Sequence, residues 1–262
     1  MPTILAIETS TEIASAAILH GEQLLSAQSS GVQTHSQTLL PMVQNLLHQA
    51  DLRLQDCQAI AFGAGPGSFT GVRTACGITQ GLAFGLNLPV LPIHTLLAMA
   101  EAARLQTGAT HVMPVLDARM GEVYWAEYEF DGTWRTVHEP ALANPAALLF
   151  PAGVQACGNG LGLCSPAGGE NNVTQYPANN PVASGAINGT DNVPVMADHR
   201  ADHSAARNAA ALIMPHAETI ARLGRLALAA GQGLPAAQAQ PLYLRNKVAQ
   251  TTLERAQRGA AR

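Results

Sequence analysis

The order of its short apolar runs constrains this chain more than any single motif. Residues 3–7 (TILAI), 13–19 (IASAAIL) and 23–27 (QLLSA) are each the length of one strand. They are separated by the polar segment ETSTE and by His20-Gly21-Glu22, a short Gly-containing turn of the kind that joins antiparallel strands. The chain therefore opens as a three-stranded meander. Leu39, Leu40, Val43, Leu46 and Leu47 then recur at helical period, behind a capping-box spacing of Thr34 and Gln37. This predicts a helix over 36–50, with Pro41 awkward in its first turns. A strand at 59–63, a helix at 70–86, a strand at 89–93 and a helix at 95–105 follow. Strands resume at 111–117, 122–130 and 133–138, with Asp131-Gly132 as the hairpin turn between the last two. An Ala/Leu-rich helix at 215–231 precedes a tail beginning PLYLRNKVAQ. Such an order predicts an α/β fold of mixed sheets flanked by helices, divided near Gly108 into residues 1–107 and 108–262.

Composition narrows the function classes. Apolar residues make up 47% of the 262 positions and charged residues 12%, enough to bury a sizeable core. A net charge of −4 argues against an autonomous nucleic-acid binder, which needs a basic face. Lys247 is the only lysine, against 13 arginines, so mechanisms built on a phosphate-binding or Schiff-base lysine are excluded. Cys57, Cys76, Cys157 and Cys164 form no CxxC pair and read as reduced, buried thiols. Glu8 interrupts the first apolar run and no basic segment precedes it, so the expectation is a cytoplasmic protein without a secretory signal. Residues 74–100 carry no charge, yet Gln80, Asn87, Pro89, Pro92 and His94 would break a membrane-spanning helix. Within 165–196, 18 of 32 residues are Gly, Pro, Ser, Thr or Asn, which predicts a flexible insertion. The glycosylation patterns at Asn172 and Asn188 lie inside it and read as chance matches.

Few segments carry chemistry. The loop Gly63-Ala64-Gly65-Pro66-Gly67-Ser68-Phe69-Thr70-Gly71 joins a strand to a helix, where free amides can bind a phosphate or carboxylate. It fits neither the P-loop nor the GxGxxG pattern, and a tight turn with Thr70 near the helix cap explains it equally well. Glu8 with Thr9, Ser10 and Thr11 could hold a hydrated metal–phosphate group, or form an ordinary turn. Asp117 and Arg119 flank a turn and either face a cleft or pair on the surface. His35 has leucine, not histidine, one helical turn later, and the spacing of His199 and His203 falls in a region of doubtful structure, so no zinc site is expected. In the helix at 70–86, Gly77, Gly81 and Gly85 recur along one face. Together with the apolar surplus of the helix at 36–50, they predict a patch that wants covering. Its expected interface residues are Leu39, Met42, Val43, Leu46, Val72, Ala75, Thr79 and Leu82.

ILAIETSTE at 4–12, HSQTLLPMVQNLL at 35–47, FGAGPGSFTGVR at 62–73, DARMGEVYWAEY at 117–128 and PLYLRN at 241–246 resemble the bacterial TsaB (YeaZ) family of tRNA threonylcarbamoyladenosine biosynthesis. The resemblance is close over 1–130, looser at the C-terminal helix and tail, and absent over 165–196. It implies a two-lobed actin-like ATPase (ASKHA, ribonuclease H-like) fold, the dimerisation helices lying in the lobe 1–107. It also implies a non-catalytic scaffold. The paralogous TsaD-type catalytic subunit carries two metal-binding histidines, where this chain has His35 and Leu39. That subunit modifies adenosine beside the anticodon of tRNAs reading ANN codons. The implied partners are this TsaD-type subunit, a TsaE-type ATPase and a second copy when isolated, with tRNA reached only through the complex and no membrane. No cofactor is required. ATP or ADP would bind weakly, mainly in the complex, around Thr9, Ser10, Asp117 and Arg119. The competing reading is a phosphotransferase of this fold, or a glycoprotease-like hydrolase, acting alone. The tail arginines, Arg245 among them, are expected to add at most a minor electrostatic contact to tRNA or a partner.

Overall fold

A computed structural model describes residues 2–30, 35–164 and 213–245. The cap at Thr34, the 165–196 insertion, the His199–His203 pair and the tail beyond Arg245 lie outside the described residues. Strands β1 (Thr3–Glu8), β2 (Ile13–His20) and β3 (Gln23–Ser30) form the antiparallel meander. Helix α1 (His35–Gln49) leads to β4 (Ala59–Gly65), parallel to β1, and α2 (Phe69–Leu86) to β5 (Val90–His94), parallel to β4. The five-stranded order is β3-β2-β1-β4-β5. After α3 (Thr95–Thr107), the strands β6 (His111–Arg119), β7 (Glu122–Asp131), β8 (Thr133–Ala143) and β9 (Gln155–Cys157) form a second sheet ordered β8-β7-β6-β9. Helix α4 (Ala217–Ala229) closes the fold. Mixed sheets flanked by helices in this order make the actin-like, ribonuclease H-like arrangement. Strand β9 pairs parallel to β6 and was not expected, because three residues carry no periodicity.

Every residue of β1 and β4 is buried, so both faces of the first sheet need cover. On one face Leu5, Ile7, Ile60 and Phe62 meet Leu39, Val43 and Leu46 of α1 and Ala75, Cys76 and Ala83 of α2. On the other, Ile4, Ala6, Ala59 and Ala61 meet Ala98 of α3 and Ala217, Ile220, Ala221 and Leu223 of α4. Helix α3 also lends Leu96, Met99 and Ala103 to the core of the second sheet. Helix α4, which follows the second sheet in sequence, therefore returns to the first. Glu101 of α3, 6% exposed, accepts a two-pronged contact from Arg104 and a hydrogen bond from the Trp134 indole at 2.9 Å, tying α3 to β8.

Gly224 marks where α4 comes closest to the sheet: a methyl there would sit 2.7 Å from Cβ of Ala61. Alanine normally stabilises a helix interior over glycine. Gly224→Ala is nonetheless expected to destabilise the chain, by about 1–3 kcal/mol through overpacking. Urea denaturation checks this, and a variant as stable as the wild type would place α4 further from the sheet.

Candidate functional site

A cavity of about 680 Å³ opens between the two sheets. Its walls are the β1–β2 turn (Ser10 to Glu12), the start of α2 (Gly67 to Phe69, Val72 and Arg73), the β6–β7 turn (Leu116 to Met120) and the tail segment Leu242 to Arg245. Of the four expected cleft residues, Ser10, Asp117 and Arg119 line it. Thr9 does not: it is fully buried, and its hydroxyl donates to the carbonyl of Gly71 at 2.7 Å.

The glycines of the loop serve close packing. A Cβ at Gly71 would run into the Thr9 carbonyl, and one at Gly67 would lie 2.5 Å from Ser10 Cβ. A Cβ at Gly63 would collide with the Glu8 carboxyl. The loop lacks side chains because the β1–β2 turn presses against it, and the Ser68 amide donates to the Ser10 carbonyl at 2.7 Å across that contact. The helix cap is Ser68, whose hydroxyl accepts from Gly71 N at 3.4 Å, with Thr70 in the first turn beside it. Glu8, a candidate for metal chemistry, is wholly buried and outside the cleft lining. One of its oxygens accepts from the Ser10 amide and the other has no hydrogen-bond partner among the described residues. Burial pushes its carboxyl above the ordinary value near 4.5, against the hydrogen bonds from Ser10 and Thr9.

Within the cleft, Asp117 and Arg119 are paired. Arg119 pairs with Glu12 of the β1–β2 turn and lies 3.4 Å from Asp117. Asp117 in turn accepts from the Arg119 amide at 2.7 Å, and its own amide donates to Asn159 at 2.9 Å. The turn that allows this has Arg119, Met120 and Gly121 all at positive φ (64°, 60° and 76°). No group of three or more His, Cys, Asp or Glu able to hold a metal occurs among the described residues.

The second candidate surface is the outer side of α1 and α2, and here the expected residues need correcting. Leu39, Val43, Leu46, Val72, Ala75 and Thr79 are at most 3% exposed, and Leu39, Val43, Leu46 and Ala75 pack in the core under the protein's own sheet. None of the six is open to a partner. Met42 and Leu82 are half-buried at the margin of that core. What α2 shows to solvent is Gly77, Gly81 and Gly85, where an added Cβ meets nothing within 4 Å, flanked by Phe84 at 77% exposure. Leu40 of α1 is also exposed.

Comparison with known proteins resolves the family. A family model described as "TsaD: tRNA N6-adenosine threonylcarbamoyltransferase" matches residues 18–252. A solved structure, YeaZ from Pseudomonas aeruginosa, is 37% identical, with a TM-score of 0.74 over 93% of this chain and 100% of that one. The tRNA threonylcarbamoyladenosine biosynthesis proteins TsaB of Escherichia coli and Haemophilus influenzae are 46% and 47% identical over 144 and 125 residues. These alignments cover 54% and 48% of this chain, and span 62% and 53% of those relatives. The chain belongs to the TsaB (YeaZ) family.

In this TsaB-family chain His35 is 4% exposed, with Nε2 3.3 Å from the Glu12 carbonyl oxygen. Leu39, one helical turn later, lies in the core beside Val43. The tail was legible as a motif but not as part of a site: Arg245 is bound to the β6–β7 turn and is not a free cation for a partner. No described helix is long and apolar enough to cross a membrane.

The buried Glu8 makes stability depend on pH with a definite sign. Its raised folded-state pKa means that the protonated form is the one the fold accommodates. That contribution is complete below the ordinary value near 4.5 and is lost as pH rises through the raised value. Glu8→Gln, which does not ionise, is expected to gain stability relative to the wild type on going from about pH 5 to about pH 8. Urea denaturation at both pH values checks this; a difference between the two proteins that does not change with pH contradicts it.

Proposed function

We propose that this chain is a non-catalytic subunit of the machinery that installs threonylcarbamoyl on adenosine beside the anticodon of tRNAs reading ANN codons. In this reading it supports a TsaD-type catalytic subunit, together with a TsaE-type ATPase, in the cytoplasm. The lobe formed by residues 1–107 presents the docking helices, and the isolated chain pairs with a second copy through the same face. tRNA is reached through the complex.

The observation that carries this reading is the solvent-facing ridge of Gly77, Gly81 and Gly85 beside the exposed Phe84. Each mid-helix glycine costs roughly 0.5–1 kcal/mol relative to alanine, and none of the described residues takes up the space. A backbone arriving from outside would, because a ridge without side chains lets a second helix approach closely, and Phe84 supplies an aromatic anchor next to it. The cleft supports a binding role over catalysis. Of its exposed cations, Arg119 already carries two carboxylates and Arg73 is engaged by the Tyr243 hydroxyl and the Phe69 ring, so a nucleotide would bind weakly.

Two measurements test this. Gly81→Ala is expected to stabilise the isolated chain by about 0.5–1 kcal/mol, and Gly81→Leu to fold normally while weakening binding to the purified TsaD-type subunit by about a hundredfold, as for a hot-spot loss near 2.7 kcal/mol. Wild-type affinity in Gly81→Leu would place the docking face elsewhere. Calorimetry with ATP and the isolated chain is expected to give no sub-micromolar binding; a sub-micromolar dissociation constant would contradict the non-catalytic reading.

A further inference from the structure

Beyond α4 the chain turns back along the first sheet, where Leu234 bridges Val90 and Ala236 and Ala239 are buried beside α2. The next residues leave that sheet and cross to the other. The Ala239 carbonyl accepts from Gln80 at 3.0 Å and from the Cys76 thiol at 3.5 Å. Leu242 donates its amide to Ala64, at the end of β4, at 2.6 Å. The Tyr243 hydroxyl accepts from Arg73 Nε at 2.7 Å, and the Arg73 guanidinium lies 3.6 Å from the centre of the Phe69 ring. Leu244 packs into the core of the second sheet. Arg245, with its side chain 13% exposed, ends on the β6–β7 turn. There it lies 2.8 Å from Glu122 and donates to the carbonyls of Ala118 and Arg119 at 3.1 and 3.3 Å.

These contacts are unequal along the segment. Its first half is anchored in an apolar core. Its second half is held by half-exposed rings, at 43% for Phe69 and 45% for Tyr243, by Leu244 at the margin of the second sheet's core, and by the Arg245 guanidinium. One further link, Arg119 to Glu12, joins the β6–β7 turn to the β1–β2 turn across the cleft, and it is well exposed on both sides. Exposed ion pairs of that kind hold weakly, whereas a nearly buried guanidinium bonded to a carboxylate and two carbonyls holds firmly. We propose that Ala239–Arg245 is a clasp holding the two sheets closed over the cleft, locked at its outer end by Arg245. Releasing Arg245 frees the segment from that end inward and opens both the cleft and the α2 surface beneath Ala239.

Cys76 reports the event, since it is 5% exposed and covered by Ala239, while Cys157, fully buried at the second sheet, serves as an internal control. The full chain is treated with a thiol-alkylating reagent, and labelling at each cysteine is followed by mass spectrometry. In Arg245→Ala the labelling rate of Cys76 is expected to rise at least tenfold, with Cys157 unchanged. Hydrogen exchange of the amides over 117–122 is expected to rise with it. Unchanged rates at Cys76 and over 117–122 would overturn the clasp. Equal acceleration at Cys157 would overturn it too, by showing that Arg245 sustains the whole fold. Should Arg245→Ala fail to fold, Glu122→Gln removes the ion pair from the opposite side; it is expected to accelerate Cys76 labelling about threefold, and no acceleration there overturns the proposal equally.

Discussion

The structure depends on one requirement: β1 and β4 are apolar on both faces. Ile4 and Ala6 point one way, Leu5 and Ile7 the other, and all are fully buried. At about 25 cal/mol per Å² of apolar surface, leaving either face wet would forfeit much of the driving force for folding. Helices α1 and α2 cover one face. The other is left to α3, which is also claimed by the second sheet, so α4 must come back from beyond it. That return delivers the chain's tail to the mouth of the cleft, where it meets both sheets.

The cleft and the outer face of α2 inherit different characters from this arrangement. Around the cleft, the sequence that looks most like a phosphate cradle has its open glycine positions filled by β1 and the β1–β2 turn, while Arg73 is engaged by the Tyr243 hydroxyl and Arg119 and Arg245 by carboxylates. The outer face of α2 is unanswered. Its inner stripe of Val72, Ala75, Cys76, Thr79 and Ala83 is buried, leaving glycines and an exposed phenylalanine with nothing among the described residues to pack against.

Periodicity made the elements legible: α1, α2, α3 and the two meanders fall where the apolar spacing puts them, and Asp131-Gly132 lies at the β7–β8 turn. The site was less legible, for physical reasons. Leu39, Val43 and Leu46 are expected at an interface because the apolar residues of their helix exceed a narrow stripe, and Ala75 because it lies opposite the glycine ridge, yet a sheet buried on both faces takes up all four itself. Gly77, Gly81 and Gly85 were recognised as one ridge, but a glycine pattern does not say which side of a helix faces the sheet. The Arg245 contacts were out of reach, since they join residues more than a hundred positions apart through a turn of left-handed residues. For Thr79, buried with a hydroxyl lacking a hydrogen-bond partner among the described residues, the structure offers no physical account.

The central claim is that this chain works through the bare face of α2. The most direct measurement is amide hydrogen exchange on the full chain, alone and saturated with a TsaD-type subunit. The account predicts strong new protection confined to the exposed side of α1 and to Gly77–Leu86, with β7 and β8 unchanged. Protection centred on the second sheet, with α2 exchanging as in the free chain, would contradict it.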